Sequence, residues 1–459
     1  MCQWQHKLNN FVHFIGKGFL SMVNRQSILL TILNKEVRPA LGCTGPVAVA
    51  FAAAAAKDTV GGEPKKVRIV MDKDSYIKNV AVGIPGIDMR GIEIAASLGA
   101  IAGVSSAGLE VLKDVTPSDA AKAKAFLPNV DVKIQWDFDS VGLYIEAWVA
   151  TDKGEGHVLV GKTHTNIIFR ELNGELIEGQ YEKSFDSVVD RSHDTILDYK
   201  ISEIIDFAKQ VPIEEISICR EAIEMNKIIA EQGYKPGVGE NFGNGILEIP
   251  WSSPIAKAKS YAAAASDARM QGLEYPTMSC ATSGNVGITC SMPLISMGES
   301  LGKSEEEIMR ALAASFLLCV QMKSLIGRLS MFCACALASS VGIAGGMVML
   351  LGGGTKEVDG AIRNVVGSVF GILCDGAKHG CALKLSMSSG VAIESSYMAM
   401  NGHFIKGGDG FVCNTADETV RLVGRMAKEG TAGADQTMCR LLYERNKIDS
   451  AKPSQMRCV

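Results

Sequence analysis

The residues of this chain best suited to chemistry are cysteines gathered among glycine and other small side chains. Cys333 and Cys335 open a glycine-rich apolar stretch, and Cys374 and Cys381 bracket the sequence Asp-Gly-Ala-Lys-His-Gly. Thiolates at a site of low polarity suit soft iron or an iron–sulfur cluster. The alternative is that a free cysteine behaves as a small buried hydrophobe. We favour that alternative for Cys335 taken alone, and metal binding for Cys374 and Cys381.

A second kind of reactive cysteine is predicted at Cys43, in a turn that precedes a helix. Prolines and glycines surround the Cys43-Thr44 pair, and Pro46 suits the first turn of an alanine-rich helix predicted over 47–57. The positive end of a helix dipole lowers the pKa of a thiol and raises its thiolate fraction. Cys43 is therefore a candidate nucleophile, base or metal ligand, with a buried structural cysteine as the alternative.

Three further segments carry polar groups that could bind a small ligand. The loop containing Ser283 and Asn285 is rich in hydroxyl groups and glycine, which leaves backbone N–H groups free to hold a carboxylate. Lys78 and Asn79 stand in a predicted strand before a Gly-Ile-Pro-Gly turn, and His164 falls at a strand junction. The ordinary alternatives are a plain turn for the loop, a solvated lysine, and a histidine satisfied by local hydrogen bonds.

Composition and charge exclude several classes of protein. The net charge of −4 and the isoelectric point near 6.1 leave no basic surface for nucleic acid. Thirteen irregularly spaced cysteines do not form the framework of a secreted disulfide protein, so a reducing cytoplasm is the expected compartment. In residues 1–25, charges interrupt the apolar pattern, which predicts an amphipathic leader or extension rather than a signal peptide.

Hydrophobic periodicity predicts an α+β fold with three sections: an extension over 1–35, an α/β domain over 36–198 and a mostly helical domain over 199–459. The α/β domain is expected to hold a strand at 66–72, helices near 90–102 and 118–126, and an antiparallel meander. The strands of that meander are predicted at 131–138, 142–151, 156–162 and 166–173. A less patterned stretch over 179–198 connects the two domains, and a long helix over 213–232 follows it.

Residues 331–353 form an apolar run without a formal charge, long enough to cross a bilayer. The run contains cysteines, a serine pair and several glycines, and it has no aromatic belt. An all-round apolar helix in a soluble protein is a central buried helix. The prediction is therefore a buried helix at the centre of the second domain, and no membrane partner.

Several of these motifs occur in the order seen in the L-cysteine desulfidase family, which is related to the α-domain of iron–sulfur L-serine dehydratases. The resemblance covers roughly residues 26–440, and the octet 374–381 and the Gly-Cys-Thr turn are its most specific parts. The motifs that carry it are Leu41-Gly42-Cys43-Thr44, Lys78-Asn79 before Ile84-Pro85-Gly86, Ser266-Asp267-Ala268-Arg269-Met270, Ser283-Gly284-Asn285 and the octet itself.

The resemblance implies a cofactor and a set of site residues. Family enzymes bind one [4Fe-4S] cluster through three cysteines, two of which match Cys374 and Cys381. The third matches Cys333, with Cys335 as a close competitor, and the family's proton acceptor matches Cys43. One position departs from the family pattern, because Gly45 stands where the family usually has a glutamate after Cys-Thr.

The implied activity is a cytoplasmic carbon–sulfur lyase that converts L-cysteine to pyruvate, ammonia and sulfide. Its second domain is expected to resemble the serine dehydratase α-domain. Iron with an open position acts as a Lewis acid on the leaving group while a base takes the α-proton. The substrate carboxylate needs donors, for which Thr44, Lys78, Asn79, Ser283 and Asn285 are candidates. The expected partner is a small amino acid, and the chain is expected to form a homo-oligomer.

Other functions remain open from the sequence. A serine dehydratase-like reaction would release water instead of sulfide, and Gly45 together with the surplus cysteines is compatible with a non-catalytic iron–sulfur or redox-sensing protein. A pyridoxal-phosphate lyase is disfavoured, because neither a Ser-X-X-Lys motif nor a glycine-rich phosphate cup stands in the right strand–helix context.

Overall fold

The computed structural model describes residues 25–41, 44–84, 87–136, 143–181, 194–250, 253–327 and 330–451. The strands are β1 (Val37–Leu41), β2 (Lys66–Asp72), β3 (Gly83–Ile84), β4 (Ile87–Arg90), β5 (Val130–Gln135), β6 (Tyr144–Ala150), β7 (Glu155–Gly161), β8 (Ile167–Leu172), β9 (Glu175–Gly179) and β10 (Pro276–Cys280). The helices of the first part are α1 (25–36), α2 (Thr44–Val60), α3 (Lys73–Asn79), α4 (Ile92–Ala102) and α5 (Pro117–Phe126). The remaining helices are α6 (Ile201–Gln210), α7 (Ser217–Gly233), α8 (Phe242–Leu247), α9 (Pro254–Gln271), α10 (Gly284–Ser300), α11 (Glu305–Ile326), α12 (Ala338–Leu350), α13 (Thr355–Val369), α14 (Cys381–Met400), α15 (Ala416–Gly430) and α16 (Ala432–Ala451). The fold is therefore mixed α+β, with a sheet region followed by a helical part.

The main sheet has six strands in the order β5-β2-β6-β7-β8-β9. Strands β6 to β9 form the predicted antiparallel meander, with β9 as an additional strand. Strand β5 is not part of the meander, because it pairs in parallel with β2 instead of following into β6. The chain between β2 and β5 contains α4 and α5, and a helical crossover of this kind is what delivers a parallel strand. The prediction for residues 131–138 was right in type and wrong in pairing.

The predicted strand around Lys78 and Asn79 is wrong, since residues 73–79 form helix α3. The side chain of Asp72 accepts a hydrogen bond of 2.7 Å from the backbone N–H of Ser75, which caps the helix at its start. An aspartate at this position satisfies a backbone donor that would otherwise be orphaned. The cap ends β2 and turns the chain, so Lys78 and Asn79 lie on the last turn of a short helix.

The helical part packs around α11 and α12. Residues of α12 are buried except Met349, and Gly342 lets the two helices approach closely, since a Cβ there would lie 2.3 Å from the Ser315 carbonyl oxygen. The predicted helix over 331–353 is shorter than expected: it begins at Ala338, and residues 334–337 form turns. The apolar run is thus a central buried helix preceded by a structured loop.

One helix in the described part of the chain, α11, is long and apolar enough to cross a membrane by length and composition. Within its most apolar 18 residues, 89% are buried inside the protein. A core helix of a soluble protein meets the same criterion, so this helix is weak evidence for a membrane span.

Two segments cross the domain limits predicted at residues 35 and 198. Helix α1 packs into the core of the helical part, and β1 pairs antiparallel with β10, with Val37 opposite Cys280. At the other end, Cys439 of α16 lies in the core of the sheet region, where α16 packs on α3. The division into domains stays a prediction, and these exchanges tie the two parts together.

Candidate functional site

Cys333 and Cys374 lie side by side because the backbone holds their two segments in a short antiparallel pairing. The Cys333 N–H donates to the Ile372 carbonyl at 2.9 Å, and the Cys374 N–H donates to the Met331 carbonyl at 2.7 Å. The two thiols hydrogen-bond to each other. This pairing brings together two of the three cysteines expected to bind metal, across 40 residues of sequence.

The pKa values of both thiols are raised, each for a different reason. The hydrogen bond that the Cys333 thiol donates to Cys335 raises the pKa of Cys333 to about 12, and the hydrogen bond with Cys333, together with burial, raises the pKa of Cys374 to about 12. A metal displaces these protons, because the thiolate is the form that binds metal. Of the Cys-X-Cys pair, Cys333 interacts with Cys374 and Cys335 lies next to Cys333; which of the two is the third ligand stays a prediction.

Cys381, the other octet cysteine, is the first residue of α14. It is buried, its thiol donates to the Gly376 carbonyl at 3.7 Å, and burial raises its pKa. It lies within electrostatic range of Cys374. The three sulfur atoms of Cys333, Cys374 and Cys381 do not all lie within 4.8 Å of one another, although such a group exists elsewhere among the described residues. Their identity as a ligand set stays a prediction.

Lys78 lies at the cysteine site, where it contacts a thiol directly. Its ammonium group donates to the Cys374 sulfur at 3.1 Å and to the Ser330 carbonyl at 3.2 Å. The Ala377 N–H of the octet donates to the Lys78 carbonyl at 3.3 Å. Burial disfavours the charged form of Lys78, but Cys374 more than offsets this and holds the lysine pKa above its ordinary value. Helix α3 of the sheet region thus completes a site built on the helical part.

Asn79, the next residue, connects this site to the start of α2. Its amide donates to the Ser75 carbonyl at 2.7 Å. Gly45, in the first turn of α2, packs so closely that a Cβ there would lie 2.0 Å from the Asn79 side-chain oxygen. A side chain at position 45, such as the glutamate expected there, would therefore overlap the Asn79 side chain in its present position. Cys43 precedes Gly45 by two residues and lies outside the described residues.

Thr44 is the first residue of α2, and its side chain lies outside the described residues. His164 lies on the turn between β7 and β8, and burial lowers its pKa, so its imidazole is neutral at pH 7. The roles of Cys43, Thr44 and His164 stay predictions.

Ser283 and Asn285 lie on a strained turn that begins α10. Ala281 and Thr282 both have positive φ angles, 46° and 68°, which non-glycine residues rarely adopt. The Ser283 hydroxyl caps α10 by accepting from the Val286 N–H at 3.4 Å. Asn285 is buried and accepts from the Arg269 guanidinium at 3.2 Å. The Asn285 side chain is thus held by Arg269 beneath the loop.

Asp267 and His379 form a buried pair that the sequence interpretation did not assign to a function. One Asp267 carboxylate oxygen accepts from the Phe242 N–H at 2.8 Å, and the other lies 4.0 Å from His379 Nδ1. Burial raises the pKa of Asp267 to about 6. His379 belongs to the octet, two residues before Cys381. The sequence did offer one indication of this pair. Asp267 belongs to the Ser-Asp-Ala-Arg-Met segment, one of the motifs of the family resemblance, but no role was assigned to that segment.

Two lysines place positive charge near Cys333 and Cys374. Lys384, one turn into α14, donates to the Leu373 carbonyl at 2.7 Å and to Asp375 at 2.8 Å, and Asp375 also pairs with Lys378. Cys333 and Cys374 contribute to a raised pKa of Lys384. Lys78 and Lys384 thus place ammonium groups near the thiols. Sulfur donors with cationic neighbours fit an iron–sulfur cluster, whose thiolates bring negative charge.

The comparisons with known proteins identify the family of this chain. The family model described as serine dehydratase alpha chain matches residues 106–440. A UPF0597 protein of Clostridium tetani (strain Massachusetts / E88) is 36% identical over 423 residues, covering 92% of this chain and all of that protein. UPF0597 protein TTE0269 of Caldanaerobacter subterraneus subsp. tengcongensis is 38% identical over 420 residues, covering 91% of this chain and 98% of that protein.

The match to the serine dehydratase alpha chain model indicates a lyase-like enzyme. The chain belongs to the serine dehydratase alpha chain family, together with the UPF0597 proteins. This family is typically associated with iron–sulfur clusters.

Proposed function

We propose that this protein is a cytoplasmic iron–sulfur lyase that removes the β-substituent of L-cysteine and yields pyruvate, ammonia and sulfide. The observation that carries the proposal is the position of Cys333 and Cys374, paired through their backbones and contacted by the Lys78 ammonium. Membership in the serine dehydratase alpha chain family supports β-elimination from an amino acid as the reaction type.

Cys333, Cys374 and Cys381 are the proposed ligands of a 4Fe–4S cluster. Three protein ligands leave one iron open, and when bound that iron supplies a Lewis acid for the departing group. Lys78 and Lys384 offset the negative charge that the thiolates bring. Lys78 was expected to bind the substrate carboxylate; its contact with the Cys374 sulfur makes it a positioning residue for that ligand in this proposal.

Cys43 is the proposed base. A thiolate before the start of a helix is stabilised by the helix dipole and can take a proton at neutral pH. Gly45 lies against Asn79, and the neighbouring Lys78 contacts Cys374, so a chain of contacts connects the start of α2 to the cysteine site. In the proposed reaction Cys43 takes the α-proton of the substrate, and the electron pair of the Cα–H bond forms a Cα–Cβ double bond. The Cβ–S bond breaks with its electrons on sulfur.

The resulting aminoacrylate gains a proton at its β-carbon and is hydrolysed by water to pyruvate and ammonia. The substrate carboxylate needs hydrogen-bond donors, for which Thr44, Asn79, Ser283 and Asn285 remain proposed ligands. His164 is proposed as a further polar contact, in its neutral form. The expected assembly is a homo-oligomer with a small amino acid as its partner, and without nucleic acid or membrane.

The substrate is tested by an assay of protein purified without oxygen. Broad absorbance near roughly 400 nm, with iron in proportion, is the signature of the cluster. L-Cysteine and L-serine are then compared for pyruvate formation, with sulfide measured for cysteine. Faster turnover of L-cysteine supports the desulfidase assignment, and faster turnover of L-serine makes the protein a dehydratase instead. Cluster absorbance without pyruvate from either amino acid favours the non-catalytic, redox-sensing alternative and overturns the lyase proposal.

A further inference from the structure

A second group of cysteines lies inside the helical core, outside the site described above. The sulfur atoms of Cys280, Cys290 and Cys319 all lie within 4.8 Å of one another, and the three residues are fully buried. They come from three separate elements: the end of β10, the first half of α10 and the middle of α11. Only the tertiary fold brings them together.

The surroundings of this group supply one positive charge and few other polar contacts. The Cys280 thiol donates to the Phe316 carbonyl at 3.7 Å, and the Cys319 sulfur lies 4.0 Å from the Ser339 hydroxyl. Lys323, one helical turn after Cys319, is buried and donates to the Ala281 carbonyl. Burial raises the pKa of Cys280 and of Cys290. Burial also opposes ionisation of Cys319, but hydrogen bonds from the other two thiols and the Lys323 charge hold its pKa below the ordinary value.

The spacing of the sulfur atoms suits a single metal ion. Two thiolates bound to one tetrahedral zinc ion at about 2.3 Å lie about 3.8 Å apart. A small inward movement of side chains from the present separation, 4.8 Å or less, would bring all three sulfurs into that geometry. By contrast, the sulfurs of Cys333, Cys374 and Cys381 do not form so compact a group. The two sets of cysteines therefore differ in the number of metal atoms they fit.

We propose that Cys280, Cys290 and Cys319 bind one soft divalent cation of the zinc type. The charge balance decides the class of ion. Three thiolates and the Lys323 ammonium carry a net charge of about −2, and a divalent cation brings it to zero, which a buried site requires. A monovalent copper ion would leave one negative charge in the core. Binding would release the remaining thiol protons to solvent. Three thiolates would leave one position of a tetrahedral ion for another ligand, and the Ser339 hydroxyl lies 4.0 Å from the Cys319 sulfur.

The bound ion acts as a cross-link between β10, α10 and α11. These are the elements that carry the strained turn at Ala281 and Thr282 and the proposed substrate residues Ser283 and Asn285. A metal that joins separate elements contributes its binding free energy to folding. The ion therefore stabilises the loop that begins α10, and it does so independently of the iron–sulfur cluster.

The test measures zinc per chain in protein whose other cysteine site has been disabled. Cys374→Ser serves as the background, so that zinc cannot occupy an unfilled iron site. We expect about one zinc ion per chain in this background, falling below about a tenth when Cys290→Ala is added. Cys219→Ala is the matched control, because Cys219 is also a fully buried cysteine of the helical core and should leave the zinc content unchanged.

A measurement without a core substitution keeps the test independent of folding defects. Cobalt added to the chelated Cys374→Ser protein should give the intense visible bands of tetrahedral thiolate coordination, and zinc should abolish them. The protein could instead contain about one copper ion per chain, which disappears in the Cys290→Ala variant. That result would support the metal site but overturn its assignment to a divalent ion. Absence of metal together with absence of cobalt bands would overturn the proposal and leave the three thiols as hydrophobic core residues.

Discussion

The two cysteine sites of this protein use the same side chain in opposite surroundings. Cys333 and Cys374 lie where α3 of the sheet region meets the helical part, and two lysines lie near their thiols. Cys280, Cys290 and Cys319 lie wholly within the helical core, with Lys323 as their charged neighbour. The first site takes side chains from both parts of the molecule, Lys78 from the sheet region and the cysteines from the helical part. The second is closed, as a structural metal site is. In these two proposals, the site between two structural units is the reactive one and the enclosed site is the structural one.

The largest expected effect tests the open site. Cys374→Ser should reduce iron from about four atoms per chain to near zero, and pyruvate formation should fall by at least about a thousandfold, because the Lewis acid is lost. Iron content and turnover are measured on the same oxygen-free preparation. Cys413→Ser is the control, since Cys413 is a partly exposed loop cysteine. Retention of iron by Cys374→Ser would remove this cysteine from the ligand set.

The next effect separates the base from the ligands. Cys43→Ser should keep the iron and its absorbance but lower turnover by about 10²–10⁴-fold, because a serine hydroxyl is too weak an acid to be ionised at neutral pH. The measurement is again iron beside pyruvate. Loss of iron in parallel with Cys374→Ser would make Cys43 a ligand, and the base would then be sought among His164, Lys78 and Lys378. Normal turnover would end its proposed role.

Lys78 tests whether the sheet region contributes to the open site. Lys78→Met removes a charged hydrogen bond to the Cys374 sulfur, a contact of a type that contributes about 1.5–3 kcal/mol. We expect iron to be lost to a chelator about tenfold faster, with Lys78→Arg intermediate. Lys73→Met, on the same helix, is the matched control. Equal rates for Lys78→Met and Lys73→Met would contradict the contribution of α3.

The smallest effect concerns the contact between α2 and α3. Gly45→Ala should lower the free energy of unfolding by about 1–3 kcal/mol, because its Cβ would overlap the Asn79 amide. In the Asn79→Ala background the same change should cost much less. Gly245→Ala is the control, since a Cβ at that helical glycine meets nothing within 4 Å. Additive effects of the Gly45 and Asn79 substitutions, measured by denaturant unfolding, would contradict this explanation of Gly45.

Much of the fold could be predicted from local patterns, and the failures have local causes. Alternation located β2, which has a buried and a less buried face over most of its length. The strands β6 to β8 were also located, although β6 and β7 are largely buried on both faces. Residues 73–79 were misassigned because the capping of α3 by Asp72 was overlooked. Residues 334–337 were misassigned to a helix because an apolar sequence is compatible with both a buried helix and a buried loop. A loop forms here because the preceding residues 331–333 pair with the distant residues 372–374.

The candidate site was predictable only where its residues are close in sequence. The octet supplied Cys374 and Cys381, and the Cys-X-Cys pair supplied Cys333. The contact of Lys78 with Cys374 spans nearly 300 residues, and the grouping of Cys280 with Cys290 and Cys319 involves three separate elements. Such contacts follow from tertiary packing, which periodicity does not encode.

The pairing of β1 with β10 has a consequence for the time course of synthesis. Val37 pairs with Cys280, so β1 leaves the ribosome roughly 12–50 s before its partner at a translation rate of 5–20 residues per second. During that interval the intervening chain can build the sheet, while β1 keeps an unpaired edge. The proposed metal site in the helical core can form only later, after Cys319 has also been synthesised. A chaperone that covers residues 25–41 on the nascent chain would therefore act before either cysteine site exists.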